Sequence, residues 1–539
     1  GRPCRGVLHL WSLDAADEVF DEALLMGCGS ALHLVQALGR AGWRDLPQLW
    51  LVTRGTQTVA GAAPTSVAPG ALWGLGRTLA LEHAELRPTR VDLDPQPSEQ
   101  DVTLLWDEIA GRSEDEEVAW RHGRRYAGRL VRGLPAGVRL PEHVALLRPD
   151  ASYLITGGLG GLARALCRWL VAGGARYLVL VSRRGAADGA SASTVAELEA
   201  SGAKVTVCAA DVADRGSLGA VLESVSQSMP PVAGIFHTAV GLADAVVSQL
   251  SLADLRQGMA AKALGAWNLH VLTASSRLDF FVLYSSGSAL LGHAGAAGYA
   301  AANTFLDTLA GFRRGTGRPA LSVNWGLFAQ VGVGAGTVGE RLQQGDSESL
   351  TAEEGLEVLG RLLAGDFAQM GVARVNMRSF VAFHPRVSRS PYFSRLLETE
   401  ELRAPGGAFL TTLLAAPSAA RAALLASFIQ QQVGRVLRLD PTRLDPAAPF
   451  KSLGLDSLMG LEVRNGLEAG LGLTLPATLL WTYGNVTALT RHLIEQVNGS
   501  AAPEPDPVED TPTQALTADE ADALLETAWA QVQGFSHDT

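Results

Sequence analysis

The chain has 539 residues, 47% apolar and 18% charged, with a formal charge of −11. It is too long for a single hydrophobic core, so two to four soluble domains are expected. No apolar run can span a bilayer, no basic stripe can neutralise phosphates, and the four cysteines show no CxxC or CxxH spacing, so a membrane, a nucleic acid and a metal are all unexpected as partners.

The opening Gly1-Arg2-Pro3-Cys4 has no signal-peptide pattern and no initiator Met, which reads as a piece of a longer, cytoplasmic polypeptide. Residues 501–539 hold nine Asp/Glu and no Lys or Arg, so the body is close to neutral. Of the 44 basic residues only three are lysines, Lys204, Lys262 and Lys451. Where Arg serves almost everywhere, a surviving Lys suggests a need for a compact ammonium.

In residues 1–132, strands are expected at Val7–Leu13, Gln48–Thr53 and Thr89–Leu93 and helices at Asp21–Leu38 and Ala71–Glu82, with a closing hairpin over Glu117–Arg132. No Gly-rich turn follows any of these strands, so the region reads as a Rossmann-like α/β domain that binds no nucleotide. A Leu/Pro/Arg-rich connector, 133–150, leads to a second α/β series over 151–390. Its strands are expected at Ser152–Thr156, Tyr177–Ser182, Lys204–Cys208, Val232–His237, Phe280–Ser285 and Ala320–Trp325, the spacing of a doubly wound parallel sheet. A loose linker, 391–418, precedes a small all-α domain of four helices at 419–497. An acidic tail, 498–539, ends in a short amphipathic helix, Thr517–Gln533, that bears Trp529.

Gly157-Gly158-Leu159-Gly160-Gly161-Leu162 lies between the strand Ser152–Thr156 and a helix over Leu162–Val171, and Gly158-x-Gly160-x-x-Ala163 is a dinucleotide fingerprint. Its glycines let the backbone approach a pyrophosphate at the helix N-terminus. An acid at the end of the next strand would hold the ribose hydroxyl of NAD. This chain has Ser182-Arg183-Arg184 there, which suits a 2′-phosphate and so NADPH. Asp211 and Val212, after the third strand, are placed to contact the adenine.

Tyr299 and Asn303 share a helical face, Ser286 ends the preceding strand, and Lys262 lies upstream. Reduction of a carbonyl by hydride needs a proton donor at the developing alkoxide. A Tyr hydroxyl beside a cation can donate that proton, and a Ser hydroxyl can hold the oxygen. His237 and His293 read as structural.

On these residues, with Phe281-Val282-Leu283-Tyr284-Ser285-Ser286, Ser322-Val323-Asn324-Trp325-Gly326 and Gly74-Leu75-Gly76-Arg77, the chain resembles the short-chain dehydrogenase/reductases, and within them the ketoreductases of bacterial type I modular polyketide synthases. Most of that superfamily carries a Lys four residues after the Tyr. The polyketide ketoreductases place Asn there and take the Lys from an earlier helix, the order seen in Lys262, Ser286, Tyr299, Asn303. The resemblance implies residues 1–132 as the family's truncated, structural subdomain, NADPH as cofactor, a β-ketoacyl thioester as substrate, and an Asn303 that orders Lys262 or a relay water. It also implies a stereochemistry: relatives giving the D alcohol commonly carry Leu-Asp-Asp where this chain has Leu242-Ala243-Asp244, and the opposite group often has Trp at the position of Leu291, so a D product is expected.

Leu453-Gly454-Leu455-Asp456-Ser457-Leu458 resembles the attachment motif of acyl carrier proteins, which implies 4′-phosphopantetheine on Ser457 installed by a phosphopantetheinyl transferase. The expected partners are a ketosynthase and an acyltransferase, whose motifs are absent here, and a downstream synthase polypeptide reached through the tail, in a pathway such as antibiotic biosynthesis. Two rivals remain open. One is a non-reducing scaffold that presents the carrier. The other is an epimerase-like domain.

Overall fold

Short β-branched runs alternate with helices and build two parallel sheets, one in each α/β region. In this computed structural model the described residues are 4–15, 20–41, 43, 46–111, 113–134, 137–144, 147–187, 189–241, 245–329, 349–398 and 407–499.

The first sheet runs β1 (Gly6–His9), β2 (Gln48–Arg54), β3 (Thr89–Leu93), β4 (Glu117–Arg121) and β5 (Arg124–Ala127) in sequence order. Only the β4–β5 pair is antiparallel. His122 and Gly123 turn that hairpin with φ of 51° and 72°, the left-handed pair that a two-residue turn needs. The expected strand Val7–Leu13 stops at His9, where Trp11–Leu13 tightens into a 3-10 turn and the Ser12 hydroxyl donates to the Val52 carbonyl. The expected helix Asp21–Leu38 is interrupted by a π-turn at Leu25–Gly29, where Gly27 and Gly29 hold helical geometry weakly.

The second sheet has the order β12-β11-β10-β9-β6-β7-β8, all parallel. Its strands are β6 (Ser152–Thr156), β7 (Tyr177–Ser182), β8 (Lys204–Ala209), β9 (Val232–His237), β10 (Phe280–Ser286), β11 (Leu321–Trp325) and β12 (Gln369–Val372). The chain leaves β6 in one direction and returns on its other side at β9, so a crevice opens at the carboxyl ends of these strands. The sequence reading missed β12, a four-residue edge strand of half-exposed residues that has no hydrophobic run to announce it.

The two sheets are joined by a close helix pair. Ala71–Glu82 lies against Ala297–Gly315, and a Cβ on Gly74 would stand 2.3 Å from the Ala300 carbonyl oxygen, so only glycine allows this approach. Thr304 and Thr308 lie along the same seam: their hydroxyl oxygens would stand 2.5 Å and 2.3 Å from a Cβ on Gly74 and on Gly70.

The C-terminal region is helical: Ser418–Leu437, Ser457–Leu471 and Leu479–Thr482 close around Leu425, Ile429, Val433, Phe450, Leu467 and Leu475, and the helix Val486–Gly499 follows. Residues 391–418, read from sequence as loose, begin with a 3-10 turn that buries Tyr392 and Phe393 and include the helix Ala408–Ala415. The aromatic pair packs with Leu81, Met377 and Val381, which anchors the start of this stretch despite its composition. The expected tail helix Thr517–Gln533 lies outside the described residues. Among the described residues no helix is long and apolar enough to cross a membrane.

Candidate active site

The crevice at the carboxyl ends of β6–β10 is a cleft of about 1210 Å³. Gly157, Leu159, Gly160, Gly161 and Leu162 form its floor, Ser182, Arg183 and Arg184 close one end, and Asp211 and Val212 flank them. Gly157 turns the chain with φ of 68°. Gly160 caps the helix Gly161–Ala172 and has no side chain to occupy its first N–H groups, which is the cradle an anionic cofactor needs. Gly158, predicted to bind cofactor, does not line the cleft. A Cβ there would lie 2.8 Å from the Ile155 carbonyl, so its role is to let the turn pack against β6. Arg183 and Arg184 are both exposed at the rim of the cleft.

Lys262, Ser286 and Tyr299 line the same cleft. Ser286 ends β10, and its Oγ accepts from the Ser288 N–H at 3.2 Å. Tyr299, two residues into the helix Ala297–Gly315, is half-buried. The Lys262 side chain is 3% exposed, its Nζ donates to the Tyr284 carbonyl, and it sits 5.4 Å from the centroid of the Tyr299 ring. Lys262 occupies a π-turn, Ala260–Leu264, inserted in a longer helical run. Its carbonyl there accepts from His237 Nε2 at 2.9 Å, while His237 Nδ1 accepts from the Thr156 hydroxyl at 2.7 Å. Burial holds His237 neutral, with a pKa of about 3, so it serves as a buried strut and not as an acid or base.

Burial also lowers the Lys262 pKa to about 7, and the charge of Asp307 opposes that shift. Sequence reasoning missed Asp307. It sits eight residues beyond Tyr299 on the same helix and accepts from Ser322 Oγ at 2.6 Å and Asn324 Nδ2 at 2.7 Å. Burial raises its own pKa to about 6. An acid between Leu306 and Leu309 on a buried apolar face was the available signal.

Asn303 is fully buried, and its Nδ2 donates to the Tyr299 carbonyl at 2.8 Å instead of reaching Lys262. Its Oδ1 is buried without a hydrogen-bond partner, an acceptor left open beside the catalytic helix. Leu291 lines the cleft, whereas Asp244 lies outside the described residues. Ser457 is the first residue of its helix, half-buried behind Asp456, whose carboxylate accepts from the Met459 N–H at 2.8 Å. Ser457 is not a wall residue, but its neighbour Leu458 is, together with Arg435, Arg438 and Asn465 from the same helical domain.

Three family models match in tandem: polyketide synthase extender module SpnB, Rossmann fold domain, over residues 5–130; KR domain over 151–330; and phosphopantetheine attachment site over 427–493. The solved structure of A-type ketoreductases from modular polyketide synthase is 36% identical, with a TM-score of 0.64 over 69% of this chain and 77% of that one. The chain belongs to the ketoreductases of type I modular polyketide synthases, with a carrier domain attached. The first ketoreductase of the tylosin synthase is 32% identical, with a TM-score of 0.65 over 75% of this chain and 84% of that one. A phenolphthiocerol/phthiocerol polyketide synthase of Mycobacterium tuberculosis is 35% identical over 90% of this chain. Pikromycin polyketide synthase component PikAIII of Streptomyces venezuelae is 34% identical over 87%. The chain spans 27% and 31% of those two relatives. KR domains use NADPH, and the carrier family bears 4′-phosphopantetheine.

Proposed function

We propose that this ketoreductase reduces a β-ketoacyl thioester, tethered through phosphopantetheine to Ser457, to the β-hydroxyacyl thioester, with NADPH as reductant. The supporting observation is that Lys262, Ser286 and Tyr299 share one cleft with a glycine-lined nucleotide floor, and that this cleft is also walled by the domain bearing Ser457. Bound NADPH supplies hydride to the β-carbonyl carbon.

The protein's own residues manage the oxygen. Ser286 Oγ donates a hydrogen bond to the carbonyl oxygen and orients it. As charge develops on that oxygen, the Tyr299 hydroxyl gives up its proton to it. The Lys262 ammonium stabilises the phenolate left behind. The Asp307 charge opposes the loss of the Lys262 ammonium on burial, and Asn303 Oδ1 offers an acceptor for a relay water. Arg183 and Arg184 bind the 2′-phosphate, while Asp211 and Val212 border the adenine.

The substrate arrives on the arm, so a phosphopantetheinyl transferase acts first on Ser457. A ketosynthase and an acyltransferase supply the acyl chain, and a downstream polypeptide receives it. The alcohol expected from Asp244 and Leu291 is D, to be read by chiral chromatography of the product released from Ser457; a predominantly L product would reject that assignment. The central test is NADPH absorbance with a β-ketoacyl thioester. Oxidation of NADPH by the native chain that disappears in Tyr299→Phe is expected, and undiminished turnover in that variant would overturn the mechanism.

A further inference from the structure

The helix Ala71–Glu82 ends without a cation. Its last turn holds no basic residue, and its terminal carbonyls carry the negative end of the helix dipole. The missing positive charge comes from the carrier. Arg464, midway along the helix Ser457–Leu471 and 2% exposed, donates from Nη1 to the Glu82 carbonyl at 2.5 Å and from Nη2 to the Leu81 carbonyl at 2.9 Å. Asn465 Oδ1 fixes the fork, accepting from Nε at 3.1 Å and Nη2 at 2.8 Å. A buried guanidinium satisfied by another domain's main chain is a costly group to leave unpaired, so this contact favours one docked pose.

Further contacts surround it. The Ala477 N–H donates to Glu85 Oε1 at 3.3 Å, and Arg386 Nη2 pairs with the buried Glu468 at 3.1 Å. Leu458, next to Ser457, lies 3.5 Å from where a Cβ on Gly295 would stand. The docking point also connects to the chemistry. The Glu82 carboxylate accepts from the Gly295 N–H at 2.8 Å and from the Val247 N–H at 2.7 Å, and Gly295 is four residues before Tyr299.

We propose that Arg464 is the residue by which the carrier docks on the reductase, with the C-terminal carbonyls of Leu81 and Glu82 as its receptor. The partner that fits this surface is a carrier helix with an arginine seven residues beyond its arm-bearing serine. The inference rests on the carrier-tethered reading above.

The test uses the full chain and Arg464→Gln and Arg464→Lys, each loaded with a β-ketoacyl-pantetheine arm. Arm uptake itself reports that the carrier is folded. Single-turnover reduction of the tethered substrate should slow about tenfold in Arg464→Gln and less in Arg464→Lys, whose single ammonium cannot span both carbonyls. Reduction of a freely diffusing N-acetylcysteamine thioester should stay within about twofold of native. Equal losses on both substrates, or no loss on the tethered one, would overturn the proposal. Amide hydrogen exchange on the unloaded chain gives a second reading: residues 83–88, in the reductase and far from the substitution in sequence, should exchange faster in Arg464→Gln. Unchanged exchange there would also overturn it. A native chain that reduces neither substrate would reject the reductase reading, and the exchange result would still decide docking.

Discussion

The two α/β halves have similar sheets, yet one closes its strand ends and the other leaves them open. In the first half the Asp92 carboxylate, at the end of β3, accepts from Thr53 at 2.7 Å, from the Thr56 N–H at 3.0 Å and from Arg121 at 2.5 Å. Arg121 also donates to the Leu93 carbonyl and Arg54 pairs with Asp101, so side chains fill the place where a ligand would sit. In the second half, glycines replace those side chains after β6 and a cleft of about 1210 Å³ remains. The same fold therefore yields a buttress or an active site depending on what occupies the carboxyl ends of the strands.

That contrast predicts separable losses. The largest concerns chemistry alone: Tyr299→Phe should lower the reduction rate by roughly 10²–10⁴-fold, the range for a lost general acid, with little change in melting temperature. In the first half, Asp92→Ala should do the reverse. It leaves Arg121 buried and unpaired, which typically costs about 3–5 kcal/mol, read as an earlier denaturation midpoint, while the remaining folded protein keeps its rate per site. An equal loss of rate per site would show that the buttress takes part in the chemistry.

A smaller effect is expected at the cofactor end. Arg183→Ala should raise KM for NADPH by about tenfold and leave NADH nearly unaffected, because only the former carries the 2′-phosphate. Equal changes in both would remove the phosphate from its assigned place.

The smallest effect is a displaced pH limb. In the proposed mechanism Lys262 serves as a cation, and its pKa is about 7, so the rate should fall as pH rises through that value. Asp307→Asn removes the charge that raises this pKa, so the limb should move to lower pH; no movement would detach Asp307 from Lys262. The linked stability has the opposite sign. Between about 7 and the Lys reference of 10.5 the unfolded chain binds more protons, so burial of Lys262 costs most below pH 7 and this cost fades as pH rises.

Much of this could be read locally. The strand from Ser152 to Thr156, the glycine turn after it and the Tyr299–Asn303 spacing are short-range patterns, and periodicity places them without reference to the rest of the chain. The edge strand β12 and the buried turn Pro391–Phe393 could not be read so, because pairing with β11 and packing of Tyr392 and Phe393 on Leu81 create them. Of the two roles expected for Asn303, ordering Lys262 or a relay water, the first is absent, because the amide turns back to its own helix at the Tyr299 carbonyl.

Sequence by itself determined the kinds of groups available: a glycine-rich turn after a strand, an arginine pair, a tyrosine with a lysine, and a serine at a helix start. Tertiary structure decided their company. Asp307 meets Ser322 and Asn324 only because the helix Ala297–Gly315 packs beside β11, and Arg464 finds two helix-end carbonyls nearly four hundred residues earlier in the chain. Such pairings depend on long-range packing and on the need to satisfy each buried charge, which no local pattern of residues encodes.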